Sequence, residues 1–105
     1  MPFKSLFMAK APDADKQRHR TVIDTGKYKL FTVIVRNQQE ALEVCREFFE
    51  KEKIVSILLC PGFTHTDVAE IIQATGGKAG VSVARGDNPG RKIVHESLQR
   101  EGFFS

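Results

Sequence analysis

Apolar positions fall into short runs separated by polar turns. Phe3–Ala9 is apolar on both alternating sides, Phe3, Phe7 and Ala9 on one and Leu6 and Met8 on the other, which predicts a strand covered on both faces. Tyr28–Val35 and Ile54–Cys60 are two further runs rich in β-branched and large apolar side chains, and Ala79–Ala84 is a weaker one because Gly80 adds no side chain. Helical spacing appears between them. After Asn37, a good N-cap, Leu42, Cys45, Phe48 and Phe49 recur on one face while Glu40, Glu43, Arg46 and Glu47 look elsewhere. Thr64 or Thr66 caps a second helix with Val68, Ile71, Ile72 and Thr75 on one side, stopped by Gly76-Gly77. Asn88 and Pro89 open a third, with Ile93, Val94 and Leu98 as a thin apolar stripe and Gly102 as its stop. Lys10–Gly26 is open: a turn into a short polar helix, with Thr21-Val22-Ile23 either extending it or beginning an extended segment.

Strand, helix, strand, helix, strand, helix from Tyr28 onward implies parallel crossovers. The expected fold is a single layered α/β domain over residues 1–105, with about four mostly parallel strands and helices on the faces of the sheet; a ferredoxin-like α+β arrangement is the alternative. No internal repeat or low-complexity tract interrupts it.

Composition narrows the function classes. In 105 residues, 16 Lys and Arg stand against 13 Asp and Glu, a net charge of +3 that is dispersed along the chain, so nucleic acid is not the expected partner. The longest apolar run, Ile54–Cys60, falls far short of the roughly 20 residues of a membrane span, and the N-terminus makes a poor signal peptide. Two cysteines are too few for a disulfide framework, which points to a reducing, cytoplasmic setting.

Ligands of open parallel sheets lie beyond the carboxyl ends of the strands, and the residues falling there are polar. Cys60-Pro61-Gly62-Phe63-Thr64-His65 runs into a helix N-terminus that favours an anion. Gly62 would let backbone approach a ligand, and the His65 imidazole can act as acid, base or hydrogen-bond donor. Cys60 beside a helix start and an imidazole has the setting of a partial thiolate, or is a small buried hydrophobe. Arg36 and Arg85 end their strands, where a guanidinium holds a carboxylate or phosphate, or else pairs with Asp87 or Glu40. His19 joins the same rim if the first strand is parallel. The sequence thus nominates His65 and Cys60 for chemistry and Gly62, Phe63, Thr64, Arg36, Arg85, Asp87 and His19 for binding. It offers no metal-ligand spacing and no glycine-rich phosphate loop, and implies no particular cofactor.

Ala11-Pro12-Asp13-Ala14-Asp15, His19-Arg20-Thr21-Val22-Ile23, Cys60-Pro61-Gly62-Phe63-Thr64-His65 and Gly76-Gly77-Lys78 together resemble a family of short bacterial proteins, a domain of unknown function with a C-G-G-F-x-H loop. Pro61 replaces the first glycine of that loop and removes an N–H. The resemblance implies a domain of about this length and carries no catalytic assignment. Two functions follow from the residues. One is a binding domain for a small, anionic molecule, with an enzymatic role for His65 left open. The other is a non-catalytic assembly protein, a homodimer, because Phe103-Phe104 after the Gly102 stop must fold back or dock on a neighbouring subunit.

Overall fold

The computed structural model describes residues 1–85 and 90–104. Five strands and three helices follow in the order β1 (Phe3–Lys10), β2 (Arg20–Asp24), β3 (Tyr28–Val35), α1 (Gln38–Glu52), β4 (Ser56–Leu59), α2 (His65–Ala74), β5 (Gly80–Val83) and α3 (Arg91–Arg100). The sheet order is β2-β3-β1-β4-β5; β3, β1, β4 and β5 run parallel and β2 pairs antiparallel with β3. This is a layered, mostly parallel α/β fold. Thr21-Val22-Ile23 belongs to the extended edge strand β2, and the residues before it form turns in place of a polar helix. Gly26 closes the β2–β3 hairpin at φ +100°, a backbone conformation that favours glycine, and its N–H donates to Asp24 Oδ1 at 2.8 Å.

The connections decide where the helices lie. α1 carries the chain from β3 past β1 to β4, and α2 carries it onward from β4 to β5. Two right-handed crossovers in the same direction put both helices on the same face of the sheet. Gln38 on α1 accordingly reaches α2, where its Nε2 donates to the Asp67 carbonyl at 3.1 Å and to Glu70 Oε1 at 3.0 Å. The return from β1 toward β3, which in a doubly wound sheet would carry a helix over the other face, takes another route. Residues 11–19 cross the end of β3, tied down by Ala11 N–H to Val35 O and His19 O to Ile34 N–H, both 2.9 Å, and the chain then descends as β2. No described helix therefore covers the second face.

Burial follows this division. Leu6, Met8, Phe31, Val33, Val35, Ile57 and Leu59 point toward the helices and form the core with Val44, Cys45 and Phe48 of α1 and Ile71 of α2. The opposite positions carry Phe3, Ile23, Tyr28 and Leu58, exposed at 49, 60, 44 and 38%, with Phe7, Leu30 and Ile34 partly exposed between them. The expectation that both faces of β1 are covered is corrected here: the alternation in Phe3–Ala9 is apolar on both sides, but only one side receives helices of this chain.

Asn37 Oδ1 accepts from Glu40 N–H at 2.9 Å and starts α1. α2 begins with a reciprocal capping box: Thr64 Oγ1 accepts from Asp67 N–H at 3.1 Å, and Asp67 Oδ2 accepts from Thr64 N–H at 3.0 Å. The Asn88-Pro89 start expected for the third helix lies outside the described residues. α3 begins after Gly90 without a side-chain cap, buries none of its residues, and packs against no other element among those described. The molecule measures 42 × 29 × 29 Å, and its radius of gyration is 14.1 Å, against the roughly 13 Å of a compact chain of this length.

Candidate functional site

The carboxyl ends of β1, β3, β4 and β5 share one edge of the sheet, and His19, just before antiparallel β2, reaches the same edge. The rim nominated by the sequence is therefore assembled along one side of the molecule. It is also long. Neighbouring strands are about 4.8 Å apart, so the strand ends before Arg36 and Arg85 stand roughly 14 Å from each other.

Arg36, Arg85, Thr64 and His19 along it each have an internal task. The Arg36 guanidinium donates to the Ala14 carbonyl through Nε at 3.2 Å and Nη2 at 2.9 Å, and its backbone N–H donates to Glu40 Oε1 at 2.8 Å. Arg85 Nη2 donates to the Phe63 carbonyl. Thr64 is spent on the α2 cap. His19 Nδ1 accepts from Asp15 N–H at 2.9 Å, which leaves the proton of the neutral ring on Nε2. Phe63 is 0% exposed, a core side chain whose carbonyl, not its ring, serves the rim. A Cβ on Gly62 would meet Cys60 Sγ at 3.5 Å, an ordinary contact, so space alone does not require glycine there. Asp87 lies outside the described residues.

The centre of the rim is the crevice between β1 and β4. Here the chain leaves toward β2 on one side and toward α2 on the other, the topological switch point at which open α/β sheets bind ligands. Lys10 from the end of β1 spans it. Its ammonium sits 3.1 Å from Asp67 Oδ2 and 4.3 Å over the Phe63 ring. Partial burial pushes the Asp67 carboxyl upward, but the Thr64 N–H and the Lys10 ammonium outweigh it and hold the group below its ordinary 3.8. The start of α2 thus carries a built-in carboxylate where the sequence anticipated an external anion. His65, first residue of α2, is exposed, and Cys60 is partly exposed.

Sequence reasoning missed the Lys10–Asp67 pair. The two residues lie 57 positions apart along the chain, and the pairing of β1 with β4 brings them together. It also missed Arg20, which donates to Glu47 Oε2 at 3.0 Å and to the Lys16 carbonyl at 2.7 Å and lies 5.3 Å over Phe48. Arg20, Glu47 and Phe48 line a shallow groove of about 280 Å³ between β2 and α1, on the helical side of the sheet. Among the described residues, no three His, Cys, Asp or Glu side chains come together as a metal site, and no helix is long and apolar enough to cross a membrane. Burial pushes the Cys45 thiol up to about 11, so it stays protonated at neutral pH.

No curated protein matches the chain. The family model that does match spans residues 3–99, from the first residue of β1 to the last turn of α3, and the chain belongs to this family of unknown function, DUF6506.

Proposed function

We propose that the chain works as a self-associating assembly domain, a homodimer without a catalytic site. One observation carries this reading: a mostly parallel sheet has one face packed by α1 and α2 and the other lined by exposed Phe3, Ile23, Tyr28 and Leu58. Parallel sheets are almost always covered on both faces, and contiguous exposed apolar patches mark interaction surfaces. A second copy closes such a face symmetrically. The dispersed charge of +3 gives no reason to add a nucleic acid as partner, and two unpaired thiols suit the reducing cytoplasm. Sedimentation equilibrium of the purified chain tests the reading: a mass twice that of the 11.8 kDa chain is expected, and a single-chain mass at all concentrations contradicts it.

A second reading, binding of a small anionic molecule at the β1–β4 crevice, is favoured by the ammonium of Lys10 at a topological switch point beside exposed His65. In that reading the ligand displaces Asp67 from Lys10, His65 exchanges a proton with it, and Cys60, Arg36 and Arg85 serve as flanking groups. Inorganic phosphate should then raise the melting temperature of the native chain and do so less for His65→Ala; equal shifts would remove His65 from the site.

A further inference from the structure

The chain carries a second apolar surface without a partner. On α3, Ile93 is 74% exposed and Val94 52%, and they share a stripe with Leu98. The tail extends it: Phe103 N–H donates to Leu98 O at 3.0 Å, the Phe104 ring stacks on His95 at 4.9 Å, and the two phenylalanines are 40 and 48% exposed. Helix and tail form one unit in which no residue of α3 is buried and none joins the described core. Among the described residues the sheet has no helical layer on one face, and α3 has no sheet against it.

We propose that α3 and the Phe103-Phe104 tail of each copy lie on the uncovered sheet face of the other, so that two chains exchange the layer each is missing. The inference rests on the homodimer reading above and names what covers the face. Magnitudes favour exchange over the simpler pairings. Taking roughly 150–200 Å² for a fully exposed apolar side chain, the four exposed side chains of the sheet offer on the order of 400 Å² per copy, and those of α3 and its tail about as much. A stable interface buries about 800 Å² from each partner, of which somewhat over half, roughly 450 Å², is apolar. Sheet against sheet, or helix against helix, falls short of that; reciprocal helix-on-sheet contact uses both surfaces and exceeds it. The result is the three-layer arrangement that parallel sheets ordinarily have, its second helical layer donated in trans.

Complementation tests the exchange. Ile93→Glu spoils the helix and leaves the sheet intact; Leu58→Glu spoils the sheet and leaves the helix intact. In reciprocal exchange each variant alone sediments at the one-chain mass, while an equimolar mixture associates more tightly than either variant alone and more weakly than the unmodified chain, because a heterodimer retains one of the two helix-on-sheet contacts. If Ile93→Glu stays dimeric, sheet packs on sheet and the exchange is wrong. If Leu58→Glu stays dimeric, helix packs on helix and it is equally wrong. A mixture that associates no more tightly than either variant alone also overturns it. Those three outcomes leave homodimerisation standing, whereas a monomeric unmodified chain removes homodimerisation itself and with it the exchange. Should Leu58→Glu lose its cooperative melting transition, Ile23→Glu on the edge strand takes its place with the same expectations.

Discussion

At the level of single residues, Arg36, Arg85, Thr64 and His19 of the rim are engaged within the fold. Thr64, Asp67 and Lys10 lock the start of α2 to the end of β1, and Thr64→Ala should cost about 1 kcal/mol in denaturant unfolding, the usual worth of an N-cap side chain. Asp67 also sets a pH dependence. Its carboxyl lies below the ordinary 3.8 in the folded chain, so its contribution is complete above that value and fades as pH falls through the lower folded value. Asp67→Asn should therefore lower stability at pH 7 and flatten the loss of stability below about pH 4, measured by melting temperature against pH; an unchanged acid limb would mean that the pair with Lys10 contributes nothing. The thiols separate as well. Cys45 is fully buried and its thiol pushed to about 11, so iodoacetamide should label only Cys60 in the native chain and both thiols after unfolding. Residue types alone narrowed the cap of α2 to Thr64 or Thr66, of which Thr64 is the one used, and placed His65 at the first helical turn. They did not reveal that Arg36 and Arg85 point back to the carbonyls of Ala14 and Phe63, because those acceptors lie 22 positions away along the chain.

Among the elements, the hydrophobic pattern located strands and helices well where side chains pack within the chain. α1 is the clearest case. Its apolar stripe lies on β1 and β3, with Phe48 against Phe31 at 4.9 Å between ring centres, and Phe48→Ala should cost about 3–5 kcal/mol in equilibrium unfolding. β2 was hard to read because an antiparallel edge strand of five residues, four of them exposed, leaves little alternation to detect. The face of the sheet that α1 and α2 leave uncovered could not be read at all. Apolar residues on both sides of β1 state that both sides avoid water, but they do not state which chain provides the cover. That is decided by topology: the link from β1 to β3 crosses a strand end, and no described helix spans the second face.

For the molecule as a whole, two apolar surfaces of similar extent remain, the open sheet face and α3 with its tail, and the central claim is that self-association removes both from water. Carbene footprinting across a dilution series, read at single residues, reaches this most directly. Phe3, Tyr28, Leu58 and Ile93 should lose labelling together as concentration rises through the monomer–dimer transition. Ile72, 40% exposed on the helical side, should be labelled equally throughout. Undiminished labelling of Tyr28 and Leu58 at concentrations where the two-chain mass is reached would place the interface elsewhere and contradict the account.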